Sequence, residues 1–260
     1  MIPRADVTAW GANAAWPNRE QIEQDLLLSR ILVEVYNDAF LSEQLMFRGG
    51  TCLHKLYLPT ARRYSEDLDF VRTEAGPIGP VTRALTDLGT SLGFEVTTRI
   101  SAQPKVYLRT TAETGARMKI KLEMNTHEHS PALEMASINH AVASPWWTGS
   151  ADIVTFQAPE LVATKIRAIF QRKKGRDLFD LWLALTELAL DPDEILAAYP
   201  IYAPEGLTAR RSVADLRAKV WDPVFRNDLN GLISSWPASY ALEAAADLVI
   251  DKLLSRIPSR

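Results

Sequence analysis

Residues 47–70 read FRGGTCLHKLYLPTARRYSEDLDF, and this stretch decides how the whole chain is interpreted. The apolar run at 45–47 predicts a short buried strand, and residues 53–57 have the spacing of a short helix. Between them, Gly49 and Gly50 predict a tight turn at which a phosphate can approach the backbone closely. A helix start also offers free N–H groups and the positive end of its dipole. The stretch therefore predicts an anion-binding turn between a strand and a helix.

The same stretch ends with two aspartates that alternate with apolar residues. In a strand, the period of two places Asp67 and Asp69 on one face and Leu68 and Phe70 on the other. Two carboxylates so placed suit Mg²⁺, which proteins commonly hold with one or two carboxylates plus substrate phosphates. Taken alone, Gly-Gly more often marks an ordinary turn, and Asp-X-Asp a solvated loop or helix cap. Their order around a short helix makes the combination informative.

The composition of the 260 residues limits the classes of function. A hydrophobic content of 47% suffices for one large domain or two modest ones. Because the net charge is −3, any contact with nucleic acid must come from local basic patches. Cys52 is the only cysteine, which excludes an intrachain disulfide and suits a reducing compartment. No signal-peptide core or long apolar run is found, so we expect a cytoplasmic protein that does not span a membrane.

Hydrophobic periodicity divides the chain near Pro159 into a mixed part and a helical part. The predicted strands are 45–47, 64–71, 94–100, 105–111, 117–125 and 153–156. The predicted helices are 19–40, 81–92, 159–172, 176–190, 193–198, 212–220, 227–234 and 238–257. Residues before 18 are predicted to be extended or loosely packed, and 127–149 to be irregular. We therefore predict an α+β core over residues 1–158 and a helical C-terminal domain over 159–260.

The order Gly-Gly, helix, Asp-X-Asp resembles the first motif of Pol β-type nucleotidyltransferases. The variant FRGGTCLHK…RYSEDLDF, together with KIRAIFQRKKGRDLFDLW at 165–182, resembles the AbiEii/AbiGii toxin family, which includes the MenT-type enzymes. The resemblance covers roughly residues 45–185 and is loose before residue 18 and after 191. It implies a Pol β-type core with a small mixed sheet flanked by helices, followed by a helical bundle that completes the active site.

For the α+β core, the resemblance implies that Gly49, Gly50 and Thr51 bind the nucleotide, and that Asp67 and Asp69 bind Mg²⁺ or Mn²⁺. Glu123 has two interpretations. On the alternating segment RMKIKLEMN it shares a face with lysines, as an ordinary solvated sheet face would. A Pol β-type site places a third acid on a neighbouring strand, where it can bind a metal or accept the proton of the attacking hydroxyl.

In the helical part, Lys165 has only apolar neighbours three and four positions away. It is either a lysine that extends from the edge of the core to water or, as the resemblance implies, a charge that neutralises the triphosphate. The resemblance also implies that Asp180, and secondarily Asp177, orient this lysine or the nucleotide. From the residues alone, Asp177 is favoured as the N-cap of its helix and Asp180 can be an acid of the first turn. Arg172 belongs to a basic cluster that is either a solvated loop or a phosphate site; its members are Arg172, Lys173, Lys174 and Arg176.

The predicted reaction is attack of an acceptor hydroxyl on the α-phosphorus of an NTP, with release of pyrophosphate. The resemblance implies a toxin of a toxin–antitoxin (abortive infection) system, with the tRNA 3′ end as acceptor and an antitoxin encoded nearby. Two alternatives stay open. One is nucleotidyl or phosphoryl transfer to a small molecule or a protein hydroxyl. The other is a binding module without activity on a nucleotidyltransferase scaffold, which the retention of both aspartates disfavours.

Overall fold

The computed structural model describes residues 2–14 and 16–257 of the chain. The chain divides into two compact units, Met1–Phe156 and Gln157–Arg260. The sequence predicted this boundary between residues 158 and 159, at the beginning of the first helix of the second unit. Among the described residues, every strand belongs to the first unit and the second is helical.

The first unit contains both helices and strands. Its helices are α1 (Arg4–Trp10), α2 (Arg19–Asn37), α3 (Ala39–Gln44), α4 (Gly49–Cys52) and α5 (Gly79–Ser91). Its strands are β1 (Leu45–Arg48), β2 (Asp67–Arg72), β3 (Glu95–Arg99), β4 (Lys105–Thr111), β5 (Arg117–Asn125), β6 (Ala136–Ala143) and β7 (Thr148–Thr155). A π-helical turn, Leu53–Tyr57, continues α4.

These strands form one sheet in the order β3-β4-β5-β2-β1-β7-β6. Strand β2 pairs antiparallel with β1 and parallel with β5, and β1 pairs parallel with β7. The sheet is therefore mixed, and the predicted α+β class is confirmed. With seven strands in the described chain, the sheet is larger than the small one that was expected.

One face of this sheet is apolar. The register places Phe47 opposite Phe70, and Phe70 opposite Met124, and none of the three is more than 1% exposed. Helix α2 packs on this face, with the Tyr36 ring 6.5 Å from that of Phe70. Helix α5 approaches the same face so closely that a Cβ added at Gly89 would lie 2.5 Å from the Leu108 side chain.

The other face carries the polar residues of the alternating strands. In β5, Met118, Ile120, Leu122 and Met124 are buried, and the residues between them are exposed or half-buried. Asp67 and Asp69 also lie on this polar face, because Leu68 and Phe70 are buried on the apolar one. The period of two therefore sets the candidate acids opposite the layer formed by α2 and α5.

Two predictions for the first unit were wrong. Residues 4–10 are not extended but form α1, whose Trp10 Nε1 donates a hydrogen bond to Asp25 Oδ2 of α2 at 2.9 Å. Residues 127–149 are not irregular throughout, because 136–143 and 148–155 form an antiparallel hairpin. Small and polar residues dominate that hairpin, so its alternation was too weak to recognise.

The second unit is a bundle of short helices, as predicted. They are α6 (Ala158–Gln171), α7 (Gly175–Thr186), α8 (Pro192–Ala198), α9 (Ala209–Val220), α10 (Pro223–Asn227) and α11 (Leu242–Lys252). The predicted helix at 227–234 was wrong, because α10 begins earlier, where Asp222 Oδ1 accepts from the Val224 N–H. Gly175 allows α7 to begin against α10, since a Cβ there would lie 2.3 Å from the Phe225 carbonyl oxygen.

Asp25 joins three elements of the first unit. Its carboxylate accepts from Trp10 Nε1 and, at 2.7 Å, from Lys55 Nζ of the π-helical turn. His140 of β6 lies beside this pair and lines the same cavity of about 550 Å³. Burial, reinforced by the charge of Lys55, lowers the pKa of His140 to about 4. The imidazole is therefore neutral in the folded protein over the range in which a free histidine gains a proton.

This shift predicts a pH dependence of stability. The unfolded chain protonates His140 near pH 6.5, so stability falls as the pH drops from about 7 towards 4, because the unfolded state then binds more protons. We expect His140→Gln to remove about 2 kcal/mol of the difference in unfolding free energy between pH 7 and pH 5. Urea titrations at both pH values measure this; an equal difference in the two proteins would contradict it.

Candidate active site

Asp67 and Asp69 begin β2, immediately after the loop that follows the π-helical turn. Both side chains are half-buried on the polar face of the sheet. In the register, Asp69 lies between Arg48 of β1 and Glu123 of β5, and Asp67 lies beside Lys121. Because residues opposite each other in a sheet project from the same face, these strands bring three carboxylates and two cations together.

Gly49 lies directly against Asp69. Its φ of +87° belongs to the left-handed region that glycine adopts readily. A Cβ at this position would lie 2.4 Å from Asp69 Oδ2, closer than any real contact. Gly49 is therefore required twice, for its backbone conformation and for the space that the carboxylate occupies.

Gly50 and Thr51 are buried, and their contacts join the Gly-Gly turn to the loop that precedes β2. A Cβ at Gly50 would lie 2.4 Å from Arg63 Nη2. The Thr51 hydroxyl lies 2.8 Å from Ser65 Oγ and donates to the Asp67 carbonyl. The Thr51 side chain therefore fixes the start of β2, which leaves its backbone amide for the predicted contact with a nucleotide.

The sequence did not single out Arg63 and Ser65. Arg63 is only 2% exposed, although its side chain is charged, and its guanidinium lies beside the Gly50 backbone and donates to the Tyr64 carbonyl. The sequence signal that could have identified them is their position in the loop between the Gly-Gly and Asp-X-Asp motifs. The loop therefore brings two polar side chains, Arg63 and Ser65, back to the Gly-Gly turn.

Glu123 lies directly opposite Asp69. Its carboxylate is 2.9 Å from Lys121 Nζ and 3.4 Å from Lys105 Nζ. Both interpretations of this residue describe part of the arrangement, since it faces the Asp pair and also alternates with lysines. Burial alone would raise the pKa of Glu123, but the two lysines outweigh it and hold the pKa below its usual value.

Lys121 bridges two of the acids, with Nζ 3.0 Å from Asp67 Oδ2 and 2.9 Å from Glu123 Oε2. Burial raises the pKa of Asp67 to about 6, although Lys121 acts in the opposite direction. Lys121 itself keeps a pKa well above its ordinary value, because its carboxylate partners outweigh the effect of burial. Lys121 therefore already balances part of the negative charge of Asp67 and Glu123.

The ligand set for a divalent cation is limited. Among the described residues, no group of three or more His, Cys, Asp or Glu side chains forms a cation-binding cluster. Asp67 and Asp69 supply two hard oxygen donors on one face, which suits Mg²⁺ held jointly by protein carboxylates and substrate phosphates. The residues present therefore fit a cation that binds together with a nucleotide.

In the second unit, Lys165 of α6 and Asp180 of α7 form a buried pair. Lys165 Nζ lies 2.9 Å from Asp180 Oδ2 and 3.5 Å from Asp177 Oδ1. The side chain of Lys165 is 6% exposed, and those of both aspartates are 0% exposed. Lys165 therefore does not extend into water, and the structure brings it together with both predicted acids.

Asp177 is not the N-cap of α7, because Lys174 occupies that position. Its carboxylate instead accepts two hydrogen bonds from Arg172, from Nε at 2.7 Å and from Nη2 at 2.8 Å. This bidentate geometry is the strong form of an Arg–carboxylate pair. Arg172 stays half-exposed, so its guanidinium links the buried acid to the surface.

The other members of the basic cluster at 172–176 also have acidic partners. Lys173 Nζ lies 2.8 Å from Asp222, and Asp228 accepts from Lys174 at 3.1 Å and from Arg176 at 2.8 Å. Burial alone would raise the pKa of Asp228, but these cations lower it to about 2. The cluster is therefore largely neutralised within its own unit, which weakens its interpretation as a phosphate site.

Comparison with known proteins identifies the family. The model of the nucleotidyl transferase AbiEii toxin family, of type IV toxin–antitoxin systems, matches residues 30–249. The chain belongs to the AbiEii family. It is therefore a nucleotidyltransferase toxin of a type IV toxin–antitoxin system, which implies an NTP substrate and an antitoxin partner.

One solved structure supports this fold. MenT4, a nucleotidyltransferase toxin from Mycobacterium tuberculosis H37Rv, is 17% identical and covers 99% of this chain and 91% of its own, with a TM-score of 0.69. An antigenic nucleotidyltransferase-like protein from Paracoccidioides brasiliensis is 15% identical over 82% of this chain and 94% of its own. Its TM-score of 0.40 is too low to support an argument. No curated protein matches the chain.

The predicted AbiEii membership and enzyme class are thus confirmed. Among the described residues, no helix has the length and apolar character needed to cross a bilayer.

The contact between Gly49 and Asp69 gives a sharp test. Gly49→Ala must displace the Asp69 carboxylate, so we expect nucleotidyl transfer to fall at least ~100-fold, as for loss of a catalytic group. Gly115→Ala is the matched control, because Gly115 has a φ of +84° and nothing within 4 Å of an added Cβ.

Both variants should lose about 1 kcal/mol of stability from the left-handed backbone. Activity in a filter-binding assay and unfolding midpoints separate the two effects. Equal activity of the two variants would show that the contact with Asp69 is unimportant.

Proposed function

We propose that this AbiEii toxin transfers a nucleoside monophosphate from an NTP to the 3′-terminal hydroxyl of tRNA, and thereby blocks translation in the cytoplasm. The observation that carries the chemistry is the shared face of Asp67, Asp69 and Glu123, with Gly49 packed against Asp69. The family shows the reaction class. The acceptor, the metal dependence and the residue roles are our proposal.

Asp67 and Asp69 would hold Mg²⁺ or Mn²⁺ on this face. When bound, such an ion supplies charge stabilisation at the phosphates and orients the reacting oxygens. The chain's own contribution is to fix the backbone of Asp67 through the Thr51 hydroxyl, which donates to its carbonyl, and to hold the Asp69 carboxylate against Gly49. This support keeps the acids in place before any ligand arrives.

The reaction forms a bond between the acceptor oxygen and the α-phosphorus and breaks the bond from that phosphorus to the bridging oxygen, so pyrophosphate leaves. The hydroxyl proton passes to a carboxylate of the polar face. Asp67 and Asp69 are assigned to the metal ion, so we assign proton acceptance to Glu123, which lies opposite Asp69 on the neighbouring strand. Lys121 lies between Asp67 and Glu123 and compensates part of their charge.

In the second unit, we assign to Lys165 the neutralisation of charge on the triphosphate, and to Asp180 the orientation of its ammonium. The 2.9 Å contact between them supports a positioned lysine. Arg172 and Asp177 form the next pair, and the half-exposed guanidinium of Arg172 is the part of it that can meet a nucleotide phosphate.

The acceptor can be tested directly. Purified protein incubated with Mg²⁺, total tRNA and each NTP labelled at the α position should label the tRNA 3′ end. Label from the γ position would indicate phosphoryl transfer. If no NTP labels RNA and expression without an antitoxin leaves growth unchanged, a small-molecule or protein acceptor replaces tRNA. An open reading frame for the antitoxin is expected beside this gene.

The acids give the next prediction. Asp67→Asn and Asp69→Asn should each reduce transfer at least ~100-fold. Each removes one carboxylate ligand of the metal ion, and that ion supplies several kcal/mol of charge stabilisation in the transition state. Asp152→Asn is the control, because Asp152 is an exposed strand aspartate bonded only to Asn139 among the contacts of the described chain. Near wild-type transfer by either site variant would refute the assignment.

A double variant is needed to separate a catalytic role of Lys165 from a structural one. Lys165→Met removes the cation that contacts the buried carboxylates of Asp180 and Asp177, which should cost about 3–5 kcal/mol of stability. Lys165→Met combined with Asp180→Leu should recover most of that stability but little of the activity. Thermal melts and initial rates decide this, and a stable double variant with wild-type turnover would show that the pair is purely structural.

A further inference from the structure

The polar face of the sheet extends beyond the acids across β5, β4 and β3. The register aligns Asp69, Glu123, Lys105 and Arg99 in one row across four strands. Two further rows run parallel to it and contain three more cations and one aromatic ring. The second row consists of Asp67, Lys121, Tyr107 and Thr97, and the third of Lys119, Arg109 and Glu95. Arg117 continues the same face of β5.

These cations differ from those of the cluster at 172–176. Arg99, Arg117 and Lys119 are exposed, and within the described chain none of them forms an ion pair with an acid. Each cation of the 172–176 cluster, by contrast, has an aspartate within 4.0 Å. In a chain with net charge −3, this sheet face is therefore a local basic surface that is available to a polyanion.

Tyr107 stands among these cations. Its ring centroid lies 5.5 Å from Lys119 Nζ and 5.8 Å from Arg109 Cζ. Aromatic side chains within a basic surface are characteristic of single-stranded nucleic-acid binding, because unpaired bases offer flat rings that can stack. A duplex hides its bases in the helical stack, so it gains little from such a ring.

We propose that the polar face of β3, β4 and β5 binds the single-stranded end of the acceptor RNA and leads its 3′ hydroxyl to Asp67 and Asp69. This rests on the proposed function and specifies where the RNA lies. The surface begins beside the acids, since Lys121 is in register with Asp67 and Lys105 with Glu123. Phosphates contact the outer cations, and a base near the 3′ end stacks at Tyr107.

The test measures binding of a fluorescent 12-nucleotide single-stranded RNA to the full chain by anisotropy, without NTP. Arg117→Gln combined with Lys119→Gln should weaken binding at least ~10-fold and flatten the salt slope by about 1.4, since each phosphate contact to a single strand contributes about 0.7. Tyr107→Leu keeps an apolar side chain and should weaken binding several-fold, consistent with about 1 kcal/mol or more for one stacked base.

The control removes two other exposed arginines, Arg210→Gln with Arg217→Gln on α9, and should change the Kd less than ~2-fold. Thermal melts confirm that each variant is folded. Wild-type binding by the strand variants, or equal loss in the α9 control, would overturn the proposal. Equal competition by duplex RNA of the same length would also overturn it.

Binding without NTP separates this proposal from the proposed function. If the wild type binds single-stranded RNA through this face but labels no RNA, the surface is supported and tRNA as the acceptor fails. If the wild type labels tRNA and the strand variants bind and label RNA as well as the wild type, the surface proposal fails while tRNA as the acceptor is supported.

Discussion

The parallel pairing of β2 with β5 is the constraint on which the site depends. It sets Asp69 opposite Glu123 and Asp67 opposite Lys121, so an acid–acid pair and an acid–cation pair lie side by side on the polar face. A shift of one residue would turn the acids towards the apolar layer, where Leu68, Phe70 and Leu122 now pack. The burial of these apolar residues therefore fixes the register, and the register fixes the chemistry.

Local patterns predicted much of this arrangement. The alternation of residues 105–111 and 117–125 gave both strands with their observed bounds, and the Asp-X-Asp spacing gave the face of the acids. Elements that depend on distant partners were not predicted. Helix α1 is joined to Asp25, and the cluster at 172–176 meets Asp222 and Asp228 about 50 residues later. No local pattern reveals that such partners will be adjacent.

Two lysine–aspartate pairs show how the same two residue types can serve different purposes. Lys165 and Asp180 are almost fully buried with their charged atoms 2.9 Å apart, so solvent can replace little of their interaction. Lys121 and Asp67 are about a quarter exposed, and solvent can replace part of their interaction. The first pair is therefore suited to a fixed geometry, and the second to an exchange in which an arriving cation takes the place of the ammonium.

The close contact at Gly49 has a consequence for the genetics of this toxin. Every missense change in a glycine codon adds at least a Cβ, and at this position that atom collides with Asp69. We therefore expect an active toxin to tolerate no substitution at this codon. A population that loses the antitoxin while retaining this gene is expected to yield survivors with altered residue 49, although the protein is still made.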